Sequence, residues 1–205
     1  MTDARPTVTV VGLGRANSPA DSATIRLRCQ AERPTVADAV ADANAAVRLV
    51  RAAVAEHGIE ADRSTTSGVE IRAVERHDKG VSTTVGYAAE HRLIIEVAHL
   101  HRLGEVLTAA IAAAGDAARL DGVVLAVADG AELSDRARDH AWADAVRSAT
   151  QLAEHAGLRL GSVLRIDETP DCEIGTRQLR AAAAMPVEPG GVEASVRITV
   201  AWELV

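Results

Sequence analysis

Apolar residues recur at spacings of three and four along several stretches of the chain, and at every second position along most of the rest. The first spacing places side chains on one face of a helix, the second on one face of a strand. From Thr35 to His57 the stripe is Val36, Val40, Ala43, Val47, Val50 and Val54, with Pro34 before it and Gly58 after it. From Leu100 to Ala114 it is Leu103, Val106, Leu107, Ala110, Ile111 and Ala114, closed by Gly115. From Glu132 to Ala156 it is Leu133, Ala137, Ala141, Ala145, Ala149, Leu152 and Ala156, closed by Gly157, with Asp129 or Ser134 as the N-cap.

Strand alternation is clearest at the C-terminus. Val192, Ala194, Val196, Ile198, Val200, Trp202 and Leu204 share one face, and Glu193, Ser195, Arg197, Thr199 and Glu203 the other. Ile25, Leu27 and Cys29 alternate with Arg26, Arg28 and Gln30. Further strands are predicted at Val8–Val11, around Val69, Ile71 and Ala73, from Val85 to Val97, at Val123–Val127 and at Ser162–Asp167. The order is β-β-α-β-β-α-β-α-β-β. Long alternating strands in adjacent pairs predict hairpins, not a doubly wound parallel sheet. The expected fold is a single α+β domain over residues 1–205, a mostly antiparallel sheet with three helices packed on one face and a long loop at about 173–191.

The stretch Val10-Val11-Gly12-Leu13-Gly14-Arg15-Ala16-Asn17 imitates a dinucleotide-binding turn, with Asn17 in place of the third glycine. That turn must open a helix whose N-terminus faces the pyrophosphate. Here a strand follows and no helix begins before Thr35, so no cofactor is expected and the glycines read as a hairpin between the first two strands.

Composition narrows the chemistry. The chain has 205 residues, 48% of them hydrophobic, with no Phe, one Tyr and two Trp. Its core must be built from Val, Leu, Ile and much Ala. The net charge of −7 and the scattering of Arg among acids argue against nucleic acid. No run of about 20 apolar residues predicts a membrane span. The N-terminal residues lack a basic segment followed by an apolar stretch, so no signal peptide is expected and the location reads as cytoplasmic. Cys29 and Cys172 are expected as free thiols, with a bridge between them left open.

No catalytic constellation stands out. His99 and His101 form an H-x-H without a third ligand nearby, so no metal is expected. His57 and His155 end helices, where an imidazole suits the dipole. Asp135 and Asp139 stand one turn apart but are interleaved by Arg136 and Arg138, which reads as a solvated face. Cys172 has acidic neighbours that make it a poor thiolate. There is neither a nucleophile elbow nor a Walker loop.

With its elements in this order, the chain resembles the SIMPL-domain family. The resemblance rests on Val10-Val11-Gly12-Leu13-Gly14, on Asp21-Ser22-Ala23-Thr24-Ile25, on "TTSGVEI" (65–71), on "GYAAEHRLIIEVAHLHRLGEVLTAAIAAAG" (86–115), on "ARDHAWADAVRSATQLAEHAGLRLGSVLRIDE" (137–168) and on "MPVEPGGVEASVRITVAWEL" (185–204). The chain differs in having Ala20 between Pro19 and Asp21, and in lacking the Pro and Tyr usual after the third strand. The resemblance implies a fold and a tendency to self-assemble, but no reaction. Many members are exported, a point from which this chain's cytoplasmic reading departs.

The expected function is therefore that of a non-enzymatic, self-assembling scaffold or interaction protein, possessing no cofactor and related to stress or envelope physiology. Trp202, Val200 and Ile198 are expected in the core. Met185, Pro186, Val187 and Pro189, in the long 173–191 segment, are expected to form an arm that helps to build a homo-oligomer. The alternative is a small-ligand binder or enzyme with a pocket between helices and sheet, its ligand unknown.

Overall fold

Why the predicted elements form is visible at their ends. In the computed structural model, which describes residues 6–78, 80–169, 178–179 and 191–205, the Thr35 hydroxyl accepts a hydrogen bond from Asp38 N (3.2 Å) and starts the first helix. The Asp129 carboxylate accepts one from Glu132 N (2.9 Å) and starts the third. Gly58 and Gly157, at φ +73° and +70°, let the chain leave these helices through the left-handed region.

The elements run β1 (Thr7–Pro19), β2 (Ser22–Arg33), α1 (Val36–Glu56), β3 (Ser64–Asp78), β4 (Val81–Val97), α2 (Leu103–Ala114), β5 (Ala118–Ala126), α3 (Gly130–His155), β6 (Leu160–Thr169), the two-residue β7 (Gln178–Leu179) and β8 (Gly191–Leu204). The α+β class and the order agree with the sequence pattern. The strands divide, however, between two antiparallel sheets, β1-β8-β6 and β3-β4-β2-β5-β7. β1 and β2 form no hairpin although only Ala20 and Asp21 separate them. β1 pairs with β8 from Thr7↔Glu203 to Pro19↔Gly191, while β2 lies between β4 and β5. Consecutive strands are neighbours only about two-thirds of the time, and here a long-range partner wins.

Contacts cluster into two compact units. In the first, α3 covers the three-stranded sheet, burying Leu133, Ala137, Ala141, Ala145, Ala149 and Ala153. Against them lie Val10, Gly12, Gly14 and Ala16 of β1 and Val192 to Trp202 at alternate positions of β8. Ala153 takes the place assigned by periodicity to Leu152, which is exposed. Gly12 and Gly14 thus sit in mid-strand and not in a turn. A Cβ on Gly12 would fall 2.1 Å from Ala141 O, and one on Gly14 1.9 Å from Ala137 O. The helix rides directly on the strand, and only glycine permits that approach.

β1 is an edge strand, and α3 also covers its edge. Leu13 N donates to Asp144 Oδ2 (3.0 Å), His140 Nδ1 lies 2.7 Å from Arg15 O, and Arg136 Nη2 donates to Asn17 O (3.4 Å). These helix residues are four apart, so successive turns meet alternate strand residues.

In the second unit α1 and α2 lie on the face of β2 that carries Ile25, Leu27 and Cys29, all fully buried. Part of this contact is purely small-residue: Ala31, Ala39, Ala43 and Ala89 form one cluster with Val40 beside it.

Candidate functional site

The opposite face of the five-stranded sheet is polar and carries a basin of about 440 Å³ lined by Arg26, Arg28, Ser67, Arg92, Leu93, Ile94 and Asp121. Alternation puts Arg26 and Arg28 on this face of β2. The register sets Arg28 opposite Arg92 and Arg26 opposite Ile94. Two like charges directly opposite would repel, and carboxylates resolve the conflict. Glu90 receives Arg28 Nη1 on one oxygen and Arg92 Nε on the other, both at 3.0 Å. Asp121 takes Arg28 Nε at 2.7 Å and Glu70 takes Arg92 Nη2 at 2.8 Å. Burial pushes the Glu90 carboxyl up, but the hydrogen bonds from Arg92 and Arg28 outweigh it and hold it below the usual carboxylate range. Asp121 and Glu90 in turn raise the Arg28 guanidinium above its ordinary value.

Two register shifts meet at this basin. The β2–β5 ladder passes from Arg26↔Gly122 to Leu27↔Leu120, leaving Asp121 as the extra residue. The β3–β4 ladder passes from Thr66↔Leu93 to Gly68↔Arg92, leaving Ser67 as the extra residue. Both extra residues line the basin. β-Bulges re-aim side chains in this way and are frequent beside functional sites.

A second feature is the free margin of the same sheet. β3 is an edge strand. Its Val69 and Ile71 share the helix-covered face, by their register with His91 and Ala89, yet are 61% and 50% exposed because α1 and α2 stop short of them. Beyond Arg33↔Tyr87, where β2 ends, β3 and β4 continue alone as a two-stranded ribbon to Asp78↔Val81. The ribbon leaves the sheet at Gly86, whose Cβ position would lie 2.9 Å from Arg33 O, and at a register shift that sets Val85 apart. A groove of about 460 Å³ lies on the helix side, walled by β2, α1 and the segment after α2, with Arg33 paired to Asp42 at 2.7 Å.

The residues singled out in the sequence fall as follows. Ile198, Val200 and Trp202 are buried, Trp202 to 2% exposure beside the Trp142 ring. Val69, Ile71 and Ala73 form the predicted strand but face solvent. The His99 and His101 rings stack with centroids 5.8 Å apart. Among the described residues no group of three metal-ligating side chains converges. Asp135 is engaged by Arg138 at 2.6 Å, on an exposed helix face. Burial pushes the Cys29 thiol up to about 11. Cys172 and the arm residues Met185, Pro186, Val187 and Pro189 lie outside the described residues. The arginine basin escaped the sequence reading. Alternation marks Arg26 and Arg28 as neighbours on a wet face, but only the pairing register brings Arg92 to them.

Residues 8–202 match the SIMPL family, described as a protein of unknown function (DUF541). The 26 kDa periplasmic immunogenic protein of Brucella abortus (strain S19) is 26% identical over 229 aligned residues, which cover 100% of this chain and 87% of that protein. The protein of the same name from Brucella melitensis biotype 1 matches to the same extent. Both names say periplasmic, and this overturns the cytoplasmic location inferred from the N-terminal residues. A short N-terminal pattern is weaker ground for location than similarity along the whole chain. No helix among the described residues is long and apolar enough to cross a membrane.

Proposed function

Since the chain belongs to the SIMPL family over residues 8–202, we propose that it is an exported, non-enzymatic protein that assembles with copies of itself and serves as a scaffold or interaction protein of the envelope. The carrying observation is the uncovered margin of the five-stranded sheet. There an edge strand presents unpaired backbone groups together with exposed Val69 and Ile71. Natural sheets blunt such edges with bulges, charges or a covering element; β3 has the Ser67 bulge and several charges, but no covering strand among the described residues. A two-stranded ribbon is marginal in water by itself, and a second copy laid along β3 would support it. A small-ligand role for the groove beside α1 has less behind it, because its Arg33 and Asp42 satisfy each other.

Light scattering after size exclusion, at tens of micromolar, tests the assembly. The wild type is expected at a multiple of the 21.4 kDa chain mass. Val69→Glu with Ile71→Glu is expected to shift it towards the single chain without loss of fold, since both side chains are already exposed. A wild type that elutes as a single chain defeats the proposal.

A further inference from the structure

We infer that the arginine basin on the wet face of the five-stranded sheet is a binding site for a small organic oxyanion, one whose phosphoryl or carboxylate head sits between Arg26, Arg28 and Arg92. The lining carries three guanidinium groups and the carboxylate of Asp121, and with Glu90 and Glu70 already paired to Arg28 and Arg92 the guanidinium left uncompensated is that of Arg26. Arg28 and Arg92 are held by Nε and one terminal nitrogen each, so each keeps its other terminal nitrogen unengaged by the carboxylates. Arg26, exposed at the rim, has no hydrogen-bond or ion-pair partner among the described residues. Guanidinium forks match the two oxygens of a carboxylate or phosphate and are weakly hydrated, so they are well suited to this task.

The site is preorganised. Glu90 fixes the spacing of Arg28 and Arg92 through both its oxygens, and a bulge on each flanking strand turns Asp121 and Ser67 into the walls. Ile94, half-buried and opposite Arg26, gives the basin an apolar side against which the carbon part of a ligand can rest. The volume of about 440 Å³ suits a metabolite-sized molecule.

Calorimetric titration of the full-length protein with pyrophosphate and with citrate, at low ionic strength, tests the assignment. At least one probe is expected to give a saturable isotherm, one per chain, with Kd tighter than about 1 mM. The better probe tells a phosphoryl head from a carboxylate one. Arg26→Ala is expected to weaken binding by about tenfold or more, as for loss of a charge-assisted pair, and to leave the melting temperature in place because Arg26 supports nothing in the fold. Arg26→Lys, which keeps the charge but not the fork, should fall between. Failure of both probes to saturate at about 10 mM, a concentration ten times that Kd, overturns the inference. So does an Arg26→Ala isotherm equal to that of the wild type. These outcomes are read per chain and do not depend on the assembly state.

Discussion

The space over Gly14 is already filled. A methyl group there would have to share it with the Ala137 carbonyl, 1.9 Å away. Gly14→Ala is therefore expected to lose at least about 1–3 kcal/mol in urea melts, as overpacked sites do. Gly104 on α2 has nothing within 4 Å of its Cβ position. Gly104→Ala should gain up to about 1 kcal/mol, since glycine is a poor helix residue. The same residue type gives opposite signs, and the helix above β1 decides which. Cys29 makes the second residue-scale case. Its thiol is pushed up from 9.0 to about 11 by burial. A raised value means that the folded state holds the proton longer than the unfolded one. Stability is then intact below about pH 9 and falls as the pH climbs towards about 11. In Cys172→Ser protein, chemical melts across that window should show the fall, and adding Cys29→Val should flatten it.

At the scale of elements, α3 does two jobs with two faces. Its alanines take the body of β1, and Arg136, His140 and Asp144 take the outward edge. Asp144→Ala should leave the Leu13 amide without its acceptor. Hydrogen exchange at Leu13 is expected to accelerate, with a stability loss of at most about 1 kcal/mol, since the strand edge is exposed and water can take the acceptor's place. Much at this level could be read in the sequence. The alternation of β2 and β8 and the alanine spacing of α3 name the buried positions almost residue by residue, because period alone decides which face is dry. Val69 and Ile71 show where that logic stops. They alternate like core residues, but whether a face is dry also depends on how far a helix reaches, and no local pattern records that. The bulges at Ser67 and Asp121 were illegible for a related reason. A bulge belongs to a pair of strands, and the sequence shows strands singly. The arginine basin depends on both bulges and so could not be assembled from the residues alone.

At the scale of the whole chain, the two units are unequal in continuity. The second takes residues 20–126 as one run, plus 177–189, whereas the first gathers residues 1–19, 127–176 and 190–205. A fragment of residues 20–126 is expected to show a cooperative thermal transition by circular dichroism. A fragment of residues 127–205 is not, because it lacks β1 and the glycines on which α3 rests. A cooperative melt of the second fragment, or none of the first, would show that the units do not follow this division. The position of β8 has a further consequence in time. It lies between β1 and β6, and its Gly191 pairs with Pro19, so β1 waits for a partner about 170 residues downstream. At about 5–20 residues per second that is an interval of roughly ten to thirty seconds on the ribosome. Throughout it the backbone edge of β1 that β8 takes stays unpaired, even once α3 can cover the apolar face, and the clock is set by the topology rather than by the stability of any element.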